Sequence, residues 1–144
     1  WLYFDKTKVN AEVKRLLRPG GVLSVSHFSW LPRLDAIARA SEKLVLKHNP
    51  SWTAADWSGE VPLFPSWAKA DFDFRAAFVF DEAIPYTRES WLGRFRACRG
   101  VGAALSPEEV AAFDREHAQL LESSVPESFT VLHRLDAVMF NPKR

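Results

Sequence analysis

The side chains best suited to metal or nucleophilic chemistry in this 144-residue chain are four histidines and one cysteine, Cys98. Because they include no cysteine pair and no His-x-x-x-His spacing, the sequence predicts no metal site. His27 is the strongest candidate for catalysis. It ends a short apolar segment typical of a strand, and α/β proteins bind ligands at the carboxyl ends of strands. We expect His27 to act as a base or to orient a substrate; a hydrogen-bonded structural histidine is the alternative.

Large aromatic side chains form the second candidate group, since the chain contains six Trp and eleven Phe. We expect Trp30, Trp52 and Trp57, together with Phe64 and Trp67, to line a pocket for an apolar or aromatic substrate. The alternative is a hydrophobic cluster that serves packing alone.

The first half of the chain must supply the elements that position these residues. A helix is predicted over residues 7–18, with Thr7 as its cap, and a Pro-Gly-Gly turn ends it. A short strand over 22–28 and a second helix over 33–47 follow. The Pro-broken, aromatic-rich stretch 49–70 is predicted to be an ordered insertion or a lid rather than a plain connector.

The second half carries a strand, two helices and a long final strand, predicted over residues 74–81, 87–97, 106–123 and 128–140. Ser106, followed by Pro107 and then by Glu109, is a strong helix-start signal. His117 and His133 occupy apolar positions of their elements, so both are expected to be core residues.

This order predicts an α/β fold with about three strands. The segment 22–28 has little polar alternation, so we expect a strand that is buried on both faces and needs neighbours on both sides. The chain also begins on four large apolar residues, from Trp1 to Phe4, which at a free terminus would be exposed. We therefore expect residues 1–144 to be the C-terminal part of a longer domain; a trimmed flexible start is the alternative.

Composition and charge limit the partners. The 19 basic and 18 acidic residues leave a net charge of +1, which argues against nucleic acid or an anionic membrane as the main partner. One cysteine cannot form an intrachain disulfide, and the sequence contains neither a signal peptide nor a bilayer-spanning apolar stretch. A cytoplasmic location is the default expectation.

The start of the chain resembles a known family. The segment Trp1-Leu2-Tyr3-Phe4-Asp5, followed by a helix that ends in Pro-Gly-Gly and then by a strand, is similar to the second half of class I S-adenosylmethionine-dependent methyltransferases. The closest likeness is to the small-molecule "type 11", trans-aconitate-methyltransferase-like group. Residues that fit its pattern are Glu12, Arg15, Leu17, Arg18, Pro19, Gly20 and Gly21. The later order of strand, helices and a final antiparallel strand also fits, although the specific motif is confined to residues 1–23.

The resemblance implies that residues 1–144 are the C-terminal portion of a single methyltransferase-like domain, with part of a Rossmann-like sheet and flanking helices. The aromatic-rich stretch 49–70 is the insertion or lid in this portion. It places Trp1 and Phe4 beside the cofactor, S-adenosyl-L-methionine; core packing is the alternative for both. Two features depart from the family. Leu2 stands where relatives often carry His, and the Gly-rich loop after the first strand is absent, since Gly100-x-Gly102 follows a predicted helix.

The resemblance therefore implies methyl transfer to a small-molecule acceptor by a full-length parent, with residues 1–144 alone inactive. No nucleic acid or membrane partner is expected. The alternative is a non-catalytic binding or interaction module that completes its sheet with another chain, for example as a homodimer.

Overall fold

The computed structural model describes residues 4–143, which form a mixed α/β fold. Within them, five helices accompany a three-stranded antiparallel sheet whose strand order is β1-β3-β2. The elements in chain order are α1 (Lys6–Leu16), β1 (Leu23–Trp30), α2 (Ala36–His48), α3 (Ser66–Lys69), β2 (Phe72–Thr87), α4 (Arg88–Arg96), α5 (Pro107–Ser124) and β3 (Ser128–Pro142). The predicted α/β class and the three strands are confirmed.

Side-chain caps explain where the helices begin. Ser106 accepts from the backbone N–H of Glu109, whose side chain accepts in return from the Ser106 N–H, so the predicted start of α5 is confirmed. Thr87 caps α4 as predicted. The predicted cap of α1 was wrong. Asp5 rather than Thr7 accepts the first free N–H groups, and a carboxylate is favoured at the positive end of a helix.

Strand β1 is an edge strand among the described residues, and the prediction that it is buried on both faces was wrong. The last strand of the chain, β3, lies between β1 and β2, so β1 has β3 as its only described neighbour. Ser24, Ser26, His27 and Phe28 are all exposed. The apolar composition of β1 could not indicate this edge position, because strand order depends on pairing with residues more than 100 positions away.

Strand β2 is twice as long as predicted. It runs from Phe72 to Thr87, and Phe72 is fully buried. By contrast, Phe74, Phe78 and Phe80 are 44%, 50% and 47% exposed. The alternating residues 74–81 correctly indicated a strand.

The described chain divides into two compact units. The first comprises the residues up to Phe28, Glu60–Phe80 and the residues from Arg134 onward. Its core is formed by Phe72 and Phe140, both fully buried, with Trp67 packed edge-on against Phe140 at 5.5 Å between ring centres.

The second unit comprises Ser29–Gly59 and Asp81–His133, and its core lies where α2 and α4 pack on α5. Trp91, Phe95 and Phe113 are fully buried there. His117 and His133 are also fully buried, which confirms their predicted core positions. No helix in the described part of the chain combines the length and apolarity required to cross a bilayer.

Candidate functional site

Pairing of β1 with β3 in the first unit brings His27 beside Asp136. The Nδ1 atom of His27 lies 3.4 Å from Oδ2 of Asp136. The side chain of His27 is 47% exposed and that of Asp136 is 9% exposed. A half-exposed imidazole is therefore held by a carboxylate that is shielded from water.

The buried Oδ2 atom of Asp136 is one of six buried side-chain polar atoms without a hydrogen-bond partner within residues 4–143. Leaving a buried acceptor unpaired costs about 1–3 kcal/mol, and more when the group is charged. The His27 ring, 3.4 Å away, can place an N–H group beside this atom. The geometry therefore pairs a carboxylate with an imidazole at the edge of the sheet.

Sequence reasoning missed Asp136. The signal was present, because Asp136 interrupts a predicted strand that is otherwise mostly apolar. It carried no information about a partner, however, since His27 lies 109 positions earlier in the chain and only the sheet order joins the two.

The His27–Asp136 pair borders an open cavity of about 320 Å³ in the first unit, which we call the histidine cavity. Three phenylalanines line it, and their rings are between 40% and 50% exposed. Two of them, Phe78 and Phe80, lie nearly parallel, with ring centres 6.2 Å apart. Residues that complete the lining are Ser26, Phe28, Leu135 and Ala137.

Asp136 also lines a smaller cavity of about 130 Å³ in the same unit. Its walls include Pro62, Pro65 and Trp67, so this part of the predicted insertion packs close to the sheet. Phe64 stacks on Phe140 at 6.1 Å. Trp67 therefore packs against the core of the first unit, while Phe64 stays partly exposed beside it.

The predicted substrate-binding tryptophans lie in the second unit. Trp30 is only 6% exposed; it stacks on Phe95 at 4.8 Å and donates its indole N–H to Oε1 of Glu42 at 2.6 Å. Burial is the main influence on Glu42 and raises the pKa of its carboxyl. Trp52 and Trp57 are half-buried. Because Trp30 is almost fully buried, little of its surface can contact a ligand. Substrate binding by Trp30, Trp52 and Trp57 stays a prediction.

Of the two residues predicted to lie beside the cofactor, Trp1 lies outside the described residues. Phe4 is 58% exposed and lies two positions before the first residue of α1. Within residues 4–143 no Gly-rich turn leads from a strand into a helix. Cofactor binding by Trp1 and Phe4 stays a prediction.

No group of three or more His, Cys, Asp or Glu side chains in the described part of the chain is arranged to hold a metal ion. Cys98 is buried, and burial is the largest of the effects that raise the pKa of its thiol, which disfavours a nucleophilic role. His27 with Asp136 is thus the arrangement best placed to move a proton.

Comparison of the sequence with protein-family models gives no match, and comparison with curated proteins gives none either.

Proposed function

We propose that this chain forms the acceptor-binding part of an S-adenosylmethionine-dependent methyltransferase that acts on a small molecule. The observation that carries the proposal is the His27–Asp136 pair at the edge of the histidine cavity. The antiparallel final strand supports it, because the resemblance leads us to expect such a strand. A cytoplasmic location is part of the proposal.

The chemistry assigned to these residues is proton removal and orientation. When bound, S-adenosylmethionine supplies an electrophilic methyl group. His27 accepts the proton of the acceptor, since a neutral imidazole is a competent base near neutral pH. With Nδ1 turned towards Asp136, the ring proton is favoured on that atom and Nε2 becomes the basic nitrogen. Asp136 then stabilises the imidazolium that forms.

The cofactor itself would contact this chain through Phe4, whose exposed ring can stack on it. Positioning of donor and acceptor supplies much of the rate in such a reaction. Because no Gly-rich turn of the required kind lies within residues 4–143, we expect residues 1–144 alone to bind the cofactor poorly and to be inactive.

Calorimetric titration of S-adenosylmethionine into the product of the whole gene tests the proposal, with residues 1–144 alone titrated in parallel. The proposal expects micromolar binding by the former and much weaker binding by the latter. Transfer of a labelled methyl group to a panel of small acceptors completes the test. Absence of both binding and transfer in the whole product would refute the enzymatic proposal, and micromolar binding by residues 1–144 would refute our account of the cofactor site.

A second candidate function is a non-catalytic module that completes its sheet with another chain. The observation that favours it is the edge position of β1, which has β3 as its only neighbour among the described strands. An unpaired strand edge is a ready template for pairing with a further strand. Light scattering after size exclusion distinguishes the two, because a well-behaved monomer argues against the module and a dimer that protects β1 amides from hydrogen exchange supports it.

A further inference from the structure

We infer that the histidine cavity takes a planar aromatic molecule that carries an ionisable hydroxyl group, a phenol in the simplest case. The inference rests on the proposed function, because it names the acceptor class of that same site.

The first argument comes from the rings. Phe28, Phe78 and Phe80 all line the cavity, and they expose 40%, 50% and 47% of their surface. Aromatic rings attract one another through stacked or edge-on contacts beyond the gain from area alone. A flat aromatic ligand can use these faces, whereas a sugar or another polyhydroxylated acceptor would lose its hydration against them.

The second argument comes from charge. The only cavity-lining side chains in the described chain that can carry a full charge are His27 and Asp136. No lysine or arginine is among those lining residues, so the negative charge of a carboxylate-bearing acceptor would compete with Asp136 for the single positive charge that a protonated His27 can supply. An acceptor that enters neutral and ionises at the site avoids this penalty.

A phenol is aromatic and enters the cavity neutral, and its hydroxyl proton is one that the His27–Asp136 pair can accept. Its O–H bond breaks and the proton passes to Nε2 of His27. The oxygen uses its electron pair to bond the methyl group, whose former bonding pair stays on the sulfonium sulfur. His27 then returns its proton to water. The product is a neutral aryl methyl ether, and Asp136 balances the imidazolium throughout.

The volume of the cavity is sufficient for such a ligand. At about 320 Å³ it lies at the lower end of the range for ligand pockets, roughly 300–1,000 Å³, so an aromatic ring can be accommodated.

Binding of 4-nitrophenol to the full chain without cofactor tests the inference, with 4-nitrobenzoate and cyclohexanol as comparison ligands. Calorimetry is expected to show 4-nitrophenol binding at least about fivefold more tightly than cyclohexanol, a ratio typical of one good aromatic contact. It should also bind more tightly than 4-nitrobenzoate, which has the same ring but carries a carboxylate. Phe78→Ala should weaken that binding about fivefold, and Phe80→Ala serves in its place if the first variant fails to fold. Phe74→Ala is the matched control. Phe74 is a similarly exposed ring of β2 that is not among the cavity-lining residues, so its loss should leave binding unchanged.

Equal or tighter binding of 4-nitrobenzoate would overturn the inference, as would equal effects of Phe78→Ala and Phe74→Ala. The two proposals fail separately. Nitrophenol binding in a protein that transfers no methyl group would refute the methyltransferase proposal and keep the ligand class. Methyl transfer to carboxylates or aliphatic alcohols, without nitrophenol binding, would refute the ligand class and keep the methyltransferase proposal.

Discussion

Acidification should destabilise this protein through His117. This side chain is fully buried in the second unit, where its Nε2 lies 2.9 Å from Oγ of Ser41. Ser41 in turn accepts the indole N–H of Trp91 at 3.0 Å. The Nδ1 atom of His117 has no hydrogen-bond partner in the described chain. Burial therefore lowers the pKa of His117 from 6.5 to about 4, and the folded protein holds the ring neutral.

The sign and size of the effect follow from this difference. Because the unfolded chain takes up the proton first as the pH falls, protonation favours unfolding between the two pKa values. The stability present at neutral pH is therefore lost progressively from near pH 6.5 down to about pH 4. One pKa unit corresponds to about 1.4 kcal/mol, so His117 contributes a total loss of about 3 kcal/mol. Between about pH 7 and about pH 4.5 the loss is about 2 kcal/mol.

Urea unfolding at these two pH values measures the effect, with His117→Gln as the matched control. Glutamine can still bond to the Ser41 hydroxyl but does not titrate, whereas all other ionisable groups are common to both proteins. The free energy of unfolding of the wild type should fall by about 2 kcal/mol more than that of the variant. Equal losses in the two proteins would show that His117 is not held neutral by burial, and would refute the reasoning.

Two further predictions concern local structure. Gly93→Ala should stabilise the protein by about 1 kcal/mol, because Gly93 lies inside α4 and an added Cβ meets nothing within 4 Å. Gly102→Ala should destabilise it by about 1–3 kcal/mol, because its Cβ would collide with the carbonyl oxygen of Arg96. Thermal unfolding ranks the pair, and the opposite order would contradict the packing described. Ser106→Ala should lower the free energy of unfolding by about 1 kcal/mol because it removes the cap of α5, whereas Ser106→Asp keeps the cap. Denaturant midpoints that fall equally for the two variants would show that the cap is unimportant.

Local signals predicted the elements well, because they act within a few residues. Ser106 and Thr87 cap their helices as expected, since a capping hydrogen bond depends only on the next three positions. The cap of α1 was misplaced by two positions because Asp5 and Thr7, which lie on either side of Lys6, both have side chains that can cap a helix. The prediction did not weigh the added charge of the carboxylate.

Strand order and exposure could not be predicted from such signals. The apolar segment ending at His27 suggested a central strand, yet β1 lies at an edge of the described sheet. The alternation in residues 74–81 indicated a strand but carried no information on exposure, and Phe78 and Phe80 are about half exposed. Both outcomes depend on which strand pairs with which, and that is decided by contacts distant in sequence.

Sequence reasoning identified only part of the candidate site. His27 was singled out because of its place in a strand, and the structure adds Asp136 and the three phenylalanines around it. The tryptophans were chosen for their residue type alone. Trp30 shows why type is insufficient, because a large ring with one N–H fits a core that contains a buried acceptor such as Glu42.

The most direct test of the central claim is the rate of methyl transfer by the His27→Gln variant of the whole gene product. Glutamine retains a polar side chain but cannot accept the acceptor's proton. We predict that binding of S-adenosylmethionine is unchanged while kcat/KM for a phenolic acceptor falls by a factor of about 10²–10⁴, the usual contribution of a positioned base. Transfer at the wild-type rate by this variant would contradict the assignment of His27 as the base.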